Sequence, residues 1–377
     1  RETRYHVGAA TPSVGRRDAV GRISESRGPF AGADRRSTFV RSRLPPDVRE
    51  FAFELSLCAH LAATTNGIVS RQLGVGVDRP GKRIVDTVLV EPGPDFEARA
   101  AITPDAIPDA AIDSDAGPGR FRPRNRAIDG PPERQRRVVE RAVEAGFFER
   151  ERRGGREHVR QVARYPTDWF DRIVGIENKP DLGTPGDLET QLRKDASLGL
   201  VDEAILATES HVTGAHLNRI PDEIGVWRVD LSADAAGRIE VLREPTPLAV
   251  DEPGIELHDE HPGRAEIYPA TAAEKARARR RLAERAYGKG WRTYELPNCA
   301  AAEAAEREGV AGLPYCAWKG RLIDPASECG PACGGYDAAD PPDADLAAAR
   351  AASSPWVADP EGQKRRQAGL SRFIDGE

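Results

Sequence analysis

The strongest strand-forming run in this chain, Arg83-Ile-Val-Asp-Thr-Val-Leu-Val90, carries an acid near its centre and is stopped by Glu91-Pro-Gly-Pro94. β-Branched residues pack well on a pleated, half-buried surface, so the run predicts a strand over 83–90. A second apolar run, Arg172-Ile-Val-Gly-Ile176, comes only after residues 95–171 and leads into Glu177-Asn178-Lys179. Pairing two strands so far apart requires the chain between them to fold as an insertion.

The flanking segments give that pair a context. Phe51, Leu55, Cys58 and Ala62 recur at helical spacing, predicting a helix over 48–63 that Asn66-Gly67 ends, followed by a short strand over 68–73. Beyond the second run, Thr184-Pro185 reads as an N-cap with proline at the first helical position, opening a helix over 186–198. A buried-type strand over 203–208, a short helix over 212–220 and a strand over 225–230 complete the series. The order α-β-β, interruption, β-α-β-α-β predicts one α/β core, 48–94 with 172–230, carrying an inserted module at 95–171.

Within the insertion, a helix over 133–145 precedes two alternating runs joined by Gly154-Gly155, the signature of a hairpin. A helix followed by a basic hairpin is winged-helix-like, with Arg150, Arg152, Arg153, Arg156 and Arg160 on the wing. Glu149, Glu151 and Glu157 dilute that charge, so a solvated hairpin laced with ion pairs competes with a nucleic-acid contact. Residues 231–298 read as a loop-rich acidic linker and then a basic helix over 273–286 beside the aromatics of 287–294, which could track a nucleic-acid backbone or present a solvated face.

Composition limits the function classes. Nothing in the 377 residues approaches a membrane-spanning apolar run, and no signal-peptide core is legible, so the expectation is a soluble cytoplasmic protein without a membrane partner. Seven lysines among 55 basic residues, with no methionine, read as the bias of a GC-rich genome. Residues 1–47 hold ten arginines against five acids and no apolar period, the expectation being a disordered leader, or sequence upstream of the native start.

Side chains two apart on a strand share a face, so Glu177 and Lys179 are expected to point together. E-x-K spacing is common by chance and gains weight only if Asp86 lies on the neighbouring strand. Two carboxylates can then hold Mg²⁺ or Mn²⁺ against a phosphodiester while a lysine steadies the attacking water or the developing charge. Glu54, one helical turn from Phe51 and Cys58, and Gln191, on the inner edge of the next helix, are auxiliary candidates. Asp168 and Asp171 are rival acids nine and six residues before Glu177; six is too few for a strand, turn and strand, and Asp86 is preferred to Asp168.

Asp86 within an apolar strand, Ile176-Glu-Asn-Lys179, a helix bearing Gln191-Leu192 and the strand 203–208 resemble the PD-(D/E)XK nuclease superfamily. That resemblance implies a restriction-endonuclease-like mixed sheet flanked by helices. It implies Asp86 and Glu177 as Mg²⁺ ligands, Lys179 as catalytic lysine, Glu54 and Gln191 as auxiliary residues, and DNA as substrate. The pattern departs from the superfamily in having no proline before Asp86 and in the long separation of Asp86 from Glu177. Over the whole chain, Arg49-Glu-Phe-Ala-Phe-Glu-Leu55, Gly175-Ile-Glu-Asn-Lys-Pro-Asp181 and Pro314-Tyr-Cys-Ala-Trp-Lys-Gly320 resemble an uncharacterised haloarchaeal family of unknown function.

Cys58 falls on the apolar face of the first helix and reads as core. Cys299, Cys316, Cys329 and Cys333 cluster in the Cys-rich region 299–377, where a cytosolic chain points to metal before disulfide. Zinc is the first expectation, an iron–sulfur cluster the second, and free or paired thiols the remainder. The histidines form no ligand pattern. The leading expectation is a Mg²⁺-dependent nuclease-like protein acting on DNA. Its rivals are a non-catalytic nucleic-acid-binding or regulatory protein on the same scaffold, and an enzyme of another class, because fold does not fix function.

Overall fold

The computed structural model describes residues 46–183, 187–233, 238–261 and 263–364. The expected leader, apart from Pro46 and Asp47 that open the first helix, and the Thr184-Pro185 cap lie outside the described residues. Helix α1 (Pro46–Thr64) leads into β1 (Ile68–Val75) and β2 (Arg83–Pro92). The insertion follows, with α2 (Phe96–Ala100), α3 (Asp109–Ile112), β3 (Arg122–Pro123), α4 (Arg124–Ala127), α5 (Pro132–Glu144), β4 (Phe148–Arg153) and β5 (Arg156–Gln161). The chain returns through β6 (Phe170–Asn178), α6 (Leu188–Leu198), β7 (Glu203–Thr208), α7 (Gly214–Leu217), β8 (Gly225–Val229) and β9 (Ile239–Arg243). A ribbon of β10 (Gly254–His261) and β11 (Arg264–Ala270) precedes α8 (Ala272–Lys289). The C-terminal part is β12 (Ala302–Arg307), β13 (Val310–Cys316), β14 (Arg321–Leu322), α9 (Pro325–Glu328) and α10 (Leu346–Ala352).

The principal sheet is mixed, in the order β1-β2-β6-β7-β8-β9. β1, β2 and β6 run antiparallel, β6, β7 and β8 parallel, and β9 antiparallel again. Its strands alternate between two apolar clusters: Val69, Leu89, Val174 and Ile176 pack under Phe53, Leu57 and Leu61 of α1, while Val88, Val90 and Ile173 join Leu192 of α6 and Leu282 of α8. Helices thus cover both faces, as an α/β layer arrangement requires. No described helix is long and apolar enough to cross a membrane.

The insertion does not sit apart. The second cluster continues through Phe96 and Trp169 into Phe147 and Val159, so core and insertion share one interior. Its small sheet has the order β3-β5-β4, with Gly154 and Gly155 both at positive φ (55° and 75°), the conformations a two-residue hairpin turn demands. The expected loop over 231–270 is corrected: it contains β9 and the β10–β11 ribbon. Their polar, Pro-punctuated sequence hid strands with little buried apolar surface, β11 being mostly exposed and β10 burying the polar Glu256 and His258.

Most cations of α8 meet partners within the fold, although Arg277 is exposed. Arg281, Arg285 and Lys289, spaced one helical turn apart, donate to the carbonyl oxygens of Gly76, Gly74 and Gln72 at 3.1, 2.7 and 2.7 Å. These are alternate residues at the end of edge strand β1 and just beyond it, so α8 satisfies acceptors that an open edge would expose. Arg279 pairs with Asp202 at 2.8 Å, and Arg280 with Asp109 and Asp113. Arg285→Ala is expected to cost about 1–2 kcal/mol, the worth of a charge-assisted hydrogen bond. A denaturant midpoint equal to that of the parent protein would show that the edge needs no such cover.

Candidate functional site

Asp86 and Glu177 meet because of the β2–β6 register. The last paired residues are Thr87 and Ile176, so one position further on Asp86 stands across from Glu177 on the same face. Such cross-strand neighbours hold their Cβ atoms about 5 Å apart. Both side chains line a cavity of about 410 Å³ with Arg83, Gln191 and Asp195. Asp86 is anchored by the Asn178 backbone N–H, which donates to its Oδ2 at 2.9 Å.

The row extends to β1, where Gln72 stands opposite Asp86 with φ at 51°, inside the left-handed region that non-glycine residues avoid. Ile68 before it and Leu73 and Val75 after it face one apolar cluster, so the strand changes phase at this residue. The left-handed turn frees the Gln72 amide, which donates to Asp86 Oδ1 at 3.1 Å and to Glu54 Oε2 at 2.9 Å. Glu54 is also held by Arg71. Glu54 therefore reaches the cleft through Gln72 and not directly. Strain of this kind costs on the order of 1–3 kcal/mol and concentrates at functional sites.

Arg83 closes the other side, its guanidinium donating to Glu177 Oε2 and Asp195 Oδ2, both at 2.7 Å. Burial first, and then the nearby Asp86 charge, push Glu177 up to about 8 against the opposing Arg83 guanidinium. Burial also raises Asp86, Glu54 and Asp195 above the usual carboxylate range, against the Asn178 N–H at Asp86 and the Arg71 and Arg83 charges at the other two. A cation placed beside such carboxylates would reverse the penalty for their ionisation.

Lys179 differs from its expected direction. β6 ends at Asn178, and the Lys179 ammonium turns to Glu50 of α1 at 2.8 Å, whereas Glu177 turns toward α6. The period of two is enforced only while the strand lasts, and here Pro180 begins the turn. Glu50 remains coupled to the cleft, since its charge raises Asp86. Sequence reasoning missed Gln72, Arg83 and Asp195. Asp195 carried a signal, lying four residues after Gln191 on the same helical face; the position of Gln72 carried none.

The expected thiols gather at one end of the β12–β13–β14 sheet. Cys316 pairs with Ala302, whose N–H donates to the Cys299 carbonyl at 3.0 Å. Cys333 closes a turn with Gly330. All are free thiols; burial raises Cys329, with the neighbouring Cys316, Cys299 and Cys333 adding to it and Lys319 opposing. Cys58 is core, as expected, 3.7 Å from Thr87 Oγ1. Among the described residues, no three His, Cys, Asp or Glu side chains are grouped so that they could hold a metal ion as they stand.

Residues 68–338 match the profile of a family of unknown function, DUF5787. No curated protein and no solved structure matches the chain.

Proposed function

We propose that this chain, which belongs to the DUF5787 family of unknown function, is a Mg²⁺- or Mn²⁺-dependent nuclease-like protein that hydrolyses DNA phosphodiesters at the Asp86–Glu177 cleft. The observation that carries the reading is the cross-strand row Gln72, Asp86, Glu177 opening on one cavity beside Gln191. The core is then restriction-endonuclease-like, and the insertion winged-helix-like.

The donor chemistry fits the cation. Mg²⁺ is held through one or two carboxylates and keeps much of its water, so Asp86 and Glu177 suffice as hard oxygen donors, with the Gln191 amide beside them. A bound cation supplies a phosphoryl-oxygen counter-charge and a coordinated water acidic enough to act near neutral pH. Gln72 and the Asn178 N–H fix the Asp86 carboxylate, and Glu54 fixes Gln72. Arg83 offers a guanidinium to a phosphate entering the cavity. Lys179, released from Glu50, steadies the attacking water.

A second reading has its own observation: Arg83 between Glu177 and Asp195, and Lys179 on Glu50, form a set of ion pairs already satisfied without metal. In that reading the chain binds nucleic acid without cutting it. Cleavage assays with Mg²⁺ and Mn²⁺ on single-stranded, double-stranded and branched DNA separate the two. Asp86→Ala is expected to abolish cleavage, and Lys179→Ala to lower it by roughly 10²-fold or more. A parent protein inert on every substrate with both metals would leave only the binding reading. At Cys299, Cys316, Cys329 and Cys333 the proposal carries a structural metal, zinc before an iron–sulfur cluster, tested by metal analysis of anaerobically purified protein.

A further inference from the structure

The chain as a whole carries a net charge of −6, yet residues 120–160 hold thirteen arginines against seven acids. That excess surrounds a cavity of about 820 Å³ between α5 and the β4–β5 hairpin, lined by Arg124, Arg136, Arg152 and Arg156 among others. Of the three acids on its walls, Glu151 and Glu157 are paired and Glu140 of α5 is exposed. Glu157 pairs with Arg124 at 2.7 Å, and Glu151 with Arg153 at 2.5 Å. Arg136, Arg152 and Arg156 are exposed and have no acidic partner among the described residues. Arg124 Nε is buried there without an acceptor.

We infer that this cleft takes one phosphodiester strand of duplex DNA, with α5 lying along the major groove and the hairpin gripping the backbone. Helix α5 buries Gln135, Val138, Val139 and Ala142 and turns four arginines, Arg134, Arg136, Arg137 and Arg141, outward against three glutamates, Glu133, Glu140 and Glu144. Its thirteen residues make a rod about 20 Å long. A rod of about 10–12 Å diameter enters the roughly 12 Å major groove of B-DNA, whereas the deep, narrow major groove of A-form RNA excludes it. Single strands are disfavoured on composition. They are held by stacked aromatics, and the aromatic on this side, Phe121, is occupied by Arg160 at 4.5 Å and Arg153 at 5.9 Å. The inference shares its nucleic acid with the proposed function but needs none of the cleft chemistry.

The test measures binding of the full chain to a 20-base-pair mixed-sequence DNA duplex by fluorescence anisotropy in EDTA, over a series of salt concentrations. Arg136→Glu/Arg152→Glu/Arg156→Glu is expected to weaken binding about tenfold or more and to flatten the slope of log K against log salt by roughly 2 to 3, near 0.9 per lost phosphate contact. The corresponding triple lysine variant is expected to retain the slope, which separates lost charge from a damaged fold. Duplex binding by the parent protein in EDTA, with no cleavage by it when Mg²⁺ or Mn²⁺ is supplied, would discard the catalytic reading and keep this one. An unchanged slope in the glutamate variant, or equal affinity for single-stranded DNA, for duplex RNA or for an acidic polypeptide, would overturn the inference.

Discussion

Glu284→Ala is expected to destabilise the fold by about 3–5 kcal/mol, the cost of leaving a buried charge without its partner. Glu284 is 2 % exposed and Arg99 fully buried. The Arg99 Nε and one terminal nitrogen donate to the two Glu284 oxygens at 2.6 Å each. Tyr165 OH and the Ile107 N–H also donate to that carboxylate at 2.9 and 2.8 Å, and Trp169 Nε1 donates to Tyr165 at 2.6 Å. The guanidinium lies 4.3 Å from the centre of the Tyr287 ring. This network ties the start of the insertion to α8, so its loss should loosen both. Replacing the pair together, Arg99→Met with Glu284→Leu, is expected to recover much of the deficit, because no isolated charge remains. Urea denaturation of the two variants beside the parent decides it: a Glu284→Ala protein within about 1 kcal/mol of the parent would mean that water reaches the pair.

Glu177→Gln is expected to stabilise the metal-free protein at alkaline pH and to leave it unchanged near pH 5. The folded glutamate titrates at about 8, against 4.5 for the unperturbed group. Between those values the folded state holds a proton that the unfolded state has lost, so stability declines as pH rises through this window and levels off above about 8. The slope is on the order of 1 kcal/mol per pH unit. Glutamine matches the protonated acid in shape and never ionises, so it removes the decline. Melting curves of both proteins in EDTA from pH 5 to 9 should diverge steadily up to pH 8. Parallel curves across that range would show that Glu177 is ionised throughout. If Asp86 and Glu177 hold a cation, the same substitution that stabilises the protein also abolishes cleavage, the usual exchange between stability and a charged site.

Periodic segments were legible because burial leaves a period in the sequence. The strand predicted over 203–208 is β7, that over 83–90 lies within β2, and the helix over 133–145 corresponds to α5 within a residue at each end. The Gly154-Gly155 turn was legible for a different reason: only that conformation lets two adjacent strands close so tightly. The β10–β11 ribbon was not, since Arg264-Ala-Glu-Ile-Tyr-Pro-Ala270 is mostly exposed and carries no apolar face to betray it. The arginines of α8 were ambiguous, as a basic helix face looks the same in sequence whether its charges meet phosphate or the carbonyls of an edge strand.

At the candidate site, residue type and spacing alone selected Asp86, Glu177 and Gln191, which the fold brings to one cavity. Local pattern could also supply Asp195, one turn beyond Gln191. It could not supply Gln72, whose place depends on a left-handed turn in mid-strand, or Arg83, whose partners come from β6 and α6. Nor could it direct Lys179, which leaves its strand and follows the nearest carboxylate, Glu50. The sequence by itself determined which segments become strands and helices and which acids are available, because those follow from local burial and backbone preference. Only the tertiary structure decided which charges face one another, because ion pairing depends on distances between segments far apart along the chain.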